Sequence, residues 1–202
     1  MDQDQVTKQF YALVWPHRSD VLRVAQFLCR DSSVAEDLAQ ETLLKAFRAL
    51  GGAATATRDL KPWLLVILRN TWKDRLRATH AEMGLEALTE EPEARSAAGE
   101  DAAEFWKDPQ TLMDAFSDQQ VIEAMKTLPE EIRWTLLLVD VEGIGVQEAA
   151  DILQVPSGTI KSRAHRGRAM LRESLLPLAR ELRLVTEEVK SPKETDLRAE
   201  EL

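Results

Sequence analysis

The chain has 202 residues, a net charge of −9, 44% hydrophobic residues and one cysteine, Cys29. That excludes an internal disulfide and a cysteine-built zinc cluster, and no apolar run approaches the roughly 18 residues a membrane-spanning helix needs. The acidic start, Met1-Asp2-Gln3-Asp4, lacks the basic-then-apolar order of an export signal, so a cytoplasmic protein with no membrane span of its own is expected.

The negative charge is concentrated. From Glu82 to Glu123 there are twelve acidic and two basic residues, a net of −10, which leaves the rest of the chain at +1. The tail from Glu187 to Leu202 carries six acidic and three basic residues, a net of −3, so the remaining body stands at +4. An acidic middle and an acidic end flanking two neutral-to-basic parts read as a linker and a tail around two modules.

Ala, Leu, Glu, Arg and Gln dominate and strand-like alternation is absent, so the expected fold class is all-α. The first helix is expected over Gln5 to Trp15, interrupted by Pro16, which lacks an N–H and clashes with the preceding turn. Ser19 or Asp20 can cap a second helix, with Val21, Val24, Ala25 and Leu28 inward. Ser33 followed by Glu36 forms the pattern of a capping box, opening a third helix with Leu38, Thr42, Ala46 and Leu50 at helical spacing. Gly51-Gly52 reads as its stop, not as a phosphate loop.

On another face of the third helix lie Asp37, Gln40, Glu41, Leu44 and Arg48; by pattern alone this is a solvated face. A loop of small and polar residues leads to a fourth helix near Pro62. Trp63, Leu64, Ile67, Leu68 and Leu76 point to a core, while Arg69, Asn70, Lys73, Asp74, Arg75 and Arg77 decorate the rest. Trp72 falls beside Arg69 and Arg75, so it suits either the core or a contact with DNA or a partner. Periodicity then fades into the acidic stretch, where Phe105-Trp106 could form a docking turn. The reading is of two small helical domains, 1–78 and 118–180, joined by a flexible acidic linker at 79–117 and followed by a tail at 181–202.

The second domain opens with Val121, Ile122, Met125 and Leu128 on a helix stopped by Pro129. A helix over Glu130 to Glu142 follows, with Ile132, Leu136 and Val139 inward and Gly143 ending it. A short helix from Val146 to Leu153, the turn Gln154-Val155-Pro156 and a long helix from Ser157 to at least Leu175 are the parts of a helix-turn-helix. Ala149 and Ala150 let two helices approach closely, and Val155 and Ile160 fit the corner. The long helix carries Lys161, Arg163, His165, Arg166, Arg168 and Arg172 with no acid before Glu173. Cations meet phosphates and forked donors read base edges. Lys161, Ser162, His165 and Arg166 share a face and are the expected base readers, whereas Arg163 and Arg168 sit off it and suit phosphates. A basic solvated face is the alternative. His17, His80 and His165 lack metal-ligand spacing, so no metal or cofactor is expected, and no residue pattern indicates an enzyme.

Both modules resemble the extracytoplasmic-function (ECF) class of bacterial RNA polymerase sigma factors. In the first, the resemblance rests on Ala35-Glu36-Asp37-Leu38-Ala39-Gln40-Glu41-Thr42 and on Trp63-Leu64-Leu65-Val66-Ile67-Leu68-Arg69-Asn70, followed by Asp74 and Arg77. In the second it rests on Leu128-Pro129-Glu130, Asp140-Val141-Glu142-Gly143, and the run from Gly158 to Arg168. The order and spacing match over about residues 5–78 and 118–178. The departures are Glu148-Ala149-Ala150, where the family usually has isoleucine in the middle, and the small, alanine-rich loop from Gly51 to Asp59.

The resemblance implies a sigma factor that binds core RNA polymerase and directs initiation at promoter DNA. Its implied polymerase contacts are the β′ clamp helices, through Asp37, Gln40, Glu41, Leu44 and Arg48, and the β flap, through the second module's apolar side. It implies minus-ten reading by Thr57, Arg58, Lys61, Arg69, Asn70, Lys73 and Arg77. Minus-thirty-five reading falls to Ser157, Thr159, Lys161, Ser162, Arg163, His165, Arg166 and Arg168, and control to an anti-sigma factor. A polymerase-independent helix-turn-helix regulator is the competing reading.

Overall fold

A computed structural model describes residues 3–50, 59–82 and 118–181. Every regular element among them is helical. Residues 83–117 of the expected linker with the Phe105-Trp106 pair, the loop with Thr57 and Arg58, and the tail after residue 181 lie outside the described residues, whereas residues 79–82, expected to be linker, are helical.

The first module comprises α1 (Gln3–Gln9), a π-helical turn (Phe10–Val14), a 3-10 turn (Trp15–His17), α2 (Arg18–Leu28), α3 (Ser32–Leu50) and α4 (Leu60–Glu82). The single helix expected over Gln5 to Trp15 is thus α-helical only to Gln9, and Pro16 sits within the 3-10 turn instead of stopping a regular helix. α3 also starts differently from expectation. Its cap is Asp31, whose Oδ1 accepts from the Ser33 amide and hydroxyl, both at 2.7 Å. These hydrogen bonds hold the Asp31 carboxyl below its ordinary range. An acceptor one residue before the helix satisfies an orphan N–H directly, so the Ser33–Glu36 box is not needed.

α2, α3 and α4 pack on one another around Leu38, Leu50, Leu64 and Leu68, all fully buried. Cys29 is buried at the end of α2, and burial pushes its thiol pKa up, which makes it a poor nucleophile.

The second module comprises α5 (Asp118–Lys126), α6 (Glu130–Leu136), a second π-helical turn (Leu137–Val141), α7 (Val146–Leu153) and α8 (Ser157–Glu181). The helix expected over Glu130 to Glu142 therefore changes register after Leu136: the Glu142 amide donates to the Leu137 carbonyl at 2.9 Å, five residues back. Gly143, at φ 67°, then turns the chain in a conformation that suits glycine. Arg133 closes the end of α5 by donating to the carbonyls of Met125, Lys126 and Leu128 at 2.8–3.0 Å. α6 and α8 approach so closely that a Cβ on Gly167 would lie 2.6 Å from Ile132 Cγ2 and 2.8 Å from Leu136 Cδ1.

The modules touch through α2 against α5 and α4 against α7. That contact determines the surroundings of several residues singled out from the sequence.

Candidate nucleic-acid and partner interface

The helix-turn-helix forms as expected. α7 ends at Gln154, whose φ of 57° is left-handed, and the chain turns through Val155 and Pro156 into α8. Ala149 and Ala150 are buried against α8, and Ile160 is fully buried at the corner. The polar start of α8 is thereby fixed on a rigid support. Lys161, Ser162, His165 and Arg166 are all exposed; Ser157, Thr159 and Arg163 are half-buried. The Ser162 hydroxyl donates to the Thr159 carbonyl at 3.0 Å. Arg168 differs from its neighbours: its guanidinium makes a two-pronged pair with Asp140, Nη2 to Oδ1 at 2.6 Å and Nε to Oδ2 at 3.0 Å. The hydrogen bonds to Asp140 raise its pKa despite burial. The second π-turn presents Asp140 to this arginine, tying α8 to the helix behind it.

On α3, Asp37, Gln40 and Arg48 are exposed and Leu44 is 56% exposed. Glu41 is held in place: Arg75 Nε donates to its Oε2 at 2.9 Å and Lys45 Nζ lies 3.0 Å from its Oε1. Partial burial pushes its pKa up, but these two cations outweigh it and pull the carboxyl below its ordinary range. Val34, 42% exposed, lies near the start of the same helix. A further exposed apolar strip, Tyr11, Leu13 and Trp15, runs along the first π-turn into the 3-10 turn, with Arg18 stacked 5.1 Å over the Trp15 ring. Nothing in the sequence periodicity marks that strip, because the π and 3-10 turns break the α-helical spacing.

The expected minus-ten residues meet two different environments. Asn70 and Arg77 are exposed, with Arg77 Nη1 3.4 Å from Asp74 Oδ1, and Lys73 is half-buried. Lys61 and Arg69 instead reach the second module. Lys61 Nζ lies 2.9 Å from both the Glu142 carbonyl oxygen and Glu142 Oε2. Arg69, 8% exposed, donates from Nη2 to the Leu153 carbonyl at 2.9 Å, at the end of α7. Arg23 adds two hydrogen bonds to the Glu142 carboxylate, at 3.0 and 3.1 Å, and is steadied by Asp20 at 2.8 Å. Trp72 resolves as an inter-module contact, its indole N–H donating to Glu130 Oε1 at 3.1 Å. Sequence reasoning missed Glu142 and Arg23, which lie 119 positions apart.

Among the described residues no group of three or more His, Cys, Asp and Glu side chains could hold a metal ion, and no helix is long and apolar enough to cross a membrane.

Comparison with known proteins agrees with this layout. A family model described as Sigma-70 region 2 matches residues 13–82, and one described as Sigma-70, region 4 matches residues 118–171. The chain is 30% identical over 184 residues to the RNA polymerase sigma-H factor of Pseudomonas aeruginosa, covering 86% of this chain and 90% of that one. It is 30% identical over 165 residues to the ECF RNA polymerase sigma-E factor of Salmonella typhimurium, covering 78% of this chain and 83% of that one. Among solved structures, the sigma factor RpoE in complex with the anti-sigma factor NepR from Bartonella quintana superposes with a TM-score of 0.63 at 27% identity. That match covers 84% of this chain and 98% of the other.

Proposed function

Because the chain belongs to the ECF sigma factors of bacterial RNA polymerase, we propose that its two modules divide promoter recognition between polar residues along α4 and the exposed face of α8. As a member of that family it is a non-enzymatic initiation factor that binds core polymerase and promoter DNA. A cytoplasmic location belongs to the same proposal, because polymerase works there.

The observation that carries the reading is the α8 face. Lys161, Ser162, His165 and Arg166 project from a helix fixed at its base by Ile160, which suits insertion into a major groove. Arg163 meets phosphates, as does Ser157 or Thr159 at the helix start, where backbone amides favour anions. Arg168 acts from within its pair with Asp140, orienting the helix as well as adding positive field. In the first module, Asn70, Lys73 and Arg77, with Lys61, Arg69, Thr57 and Arg58, form the minus-ten reader. A polar helix end with neighbouring cations can hold a strand whose bases are unstacked, at a cost of roughly a few kcal/mol per base.

The polymerase surface is Asp37, Gln40, Glu41, Leu44 and Arg48. Its support is the exposed Leu44 amid acids, an arrangement that gains by burial against a partner with apolar and basic groups. An anti-sigma partner is supported by the likeness to a sigma factor solved with one. A polymerase-independent regulator is disfavoured, since its front module would have no reason to match Sigma-70 region 2.

Transcription from a promoter library by core RNA polymerase, with and without the protein, tests the reading. Initiation that depends on the protein and shares two spaced motifs is the expected result. Failure to stimulate by folded protein free of any inhibitor would overturn it.

A further inference from the structure

The first π-turn holds Phe10 and Val14 inward and leaves Tyr11 and Leu13 on the outside, with Trp15 following at the 3-10 turn. Tyr11 is 59% exposed and Trp15 41%. Their rings lie side by side, 5.6 Å apart between centroids, and both touch Phe10. Phe10 is in turn set edge-on against Phe47 of α3 at 5.3 Å. The two exposed rings therefore rest on a packed support.

Their surroundings are basic. Arg18 lies over the Trp15 ring and is anchored there by donating to the Trp15 carbonyl at 3.1 Å. Lys8 stands three residues before Tyr11, and Arg48 is next to Phe47 in α3. All three cations are exposed, and none of them makes an ion pair among the described residues. Asp20, two residues past Arg18, is already engaged by His17 and Arg23. Exposed rings among uncommitted cations are what a single strand of nucleic acid needs: bases stack on the rings and phosphates meet the cations. A partner protein would cover the rings equally well, but it would have to bring an acid for each cation. Position favours DNA too. Phe47 stands one turn before Leu50, the last residue of α3, where the chain enters residues 51–58 with Thr57 and Arg58 of the proposed minus-ten reader.

We infer that Tyr11 and Trp15, with Arg18, form a stacking site for single-stranded DNA beside the minus-ten reader, holding the melted strand next to that element. Its place on the promoter rests on the minus-ten assignment proposed above; its chemistry does not. Every base has a π-face, so the site adds affinity for the melted strand without narrowing the promoter sequence. A base held on these rings is also kept from restacking in the duplex, which opposes closure of the melted region.

The test uses the full chain and two fluorescein-labelled probes, read by anisotropy at low salt. One is mixed-sequence single-stranded DNA. The other is an abasic strand of the same length, which keeps the phosphates and has no bases to stack. Tyr11→Ala is expected to weaken binding to the first probe about tenfold, as loss of one base–aromatic stack does, and to leave the second unchanged. Tyr11→Phe keeps the ring and should bind both probes as wild type does. Arg18→Ala should weaken both probes by a similar factor, as loss of a phosphate contact does. Tyr11 is mostly exposed, so its loss spares the core, and circular dichroism checks that the fold is kept. Equal binding of the mixed-sequence probe by wild type and Tyr11→Ala, or equal loss on both probes, would overturn the stacking site. Weaker association of Tyr11→Ala with core polymerase at unchanged DNA binding would also overturn it and make the strip a protein contact. Asn70→Ala separates this site from the minus-ten reader, since Asn70 is exposed on α4 and outside the strip. Loss from Tyr11→Ala with none from Asn70→Ala would leave the stacking site standing and sink the minus-ten assignment. The reverse pattern would sink the stacking site alone.

Discussion

In the second module several of the residues proposed to read duplex DNA lie along an exposed helix face, whereas in the first two of the cations proposed to read the melted strand meet acceptors of the other module. Both sets are basic, helix-borne and close to their domain's core, and their sequences look equally suited to nucleic acid. What separates them is packing. α8 turns its basic face away from α6 and α7, while α4 lies against α7 and spends part of its polar surface on that contact. Composition can identify a reader, but its availability is a property of the docked pair.

Four variants would sharpen or break this contrast. The largest effect is expected from Ile160→Ala. Ile160 is fully buried beneath the α8 face, and deleting such a side chain costs ~2–5 kcal/mol. Thermal unfolding followed by circular dichroism should show the loss. A single cooperative transition shifted as a whole would mean that docking couples the modules; a split transition would mean that each melts alone.

Arg133→Ala comes next. It strips the Lys126 and Leu128 carbonyls of the Arg133 donor, while the Met125 carbonyl keeps the Leu128 amide, and leaving such groups unpaired costs about 1–3 kcal/mol. Because α5 packs on α2, chemical denaturation should show lower stability, and hydrogen exchange should rise at both α5 and α2. A change confined to α5 would show that the inter-module contact does not depend on it.

Arg166 and Arg168 then form a matched pair. Arg166→Ala should cost ~1–3 kcal/mol at one position of the minus-thirty-five element, measured by binding to single-base variants of a selected promoter. Arg168→Ala should leave base preference intact and lower stability through the lost Asp140 pair. Base-specific loss from Arg168→Ala would reverse the roles given to the two arginines.

The smallest effect concerns Glu41. Its carboxyl is held below the ordinary range, so its pairs with Lys45 and Arg75 contribute stability above the unfolded glutamate pKa, and this is lost as pH falls through the lower folded value. Both partners are partly exposed, so Glu41→Gln should cost only ~0.2–1 kcal/mol near neutrality. The gap in melting temperature from wild type should narrow in acid below about pH 4. A gap that persists there would point to lost packing instead of lost charge.

Much of the fold was legible because it depends on local signals. The spacing of Leu38, Thr42, Ala46 and Leu50 identified α3, and the small pair Ala149-Ala150 with the corner residue Ile160 identified the helix-turn-helix. The π-turns were not legible, since each spans only five residues, too few for its altered spacing to stand out as a pattern of its own. Asp31 was passed over as a cap because Ser33 with Glu36 fits the commoner pattern. Glu142 and Arg23 could not have been paired from sequence: their meeting depends on how two modules dock, and no local pattern around either one signals the other. By pattern alone the polar face of α3 reads as solvated; only the family resemblance of the run from Ala35 to Thr42 implies a polymerase contact there.

The second π-turn also sets a phase. By holding one residue more than an α-helical turn, it rotates everything after Leu137 relative to the core stripe of Ile132 and Leu136. Removing one residue between Leu137 and Val141 would restore α-helical winding with little loss of backbone hydrogen bonding, yet swing the downstream chain by about 100°. Asp140 and Glu142 would then both miss their arginines, one inside the module and one across it. A deletion there would thus keep the helix and lose both connections together, so the length of that turn matters as much as the identity of the two acids.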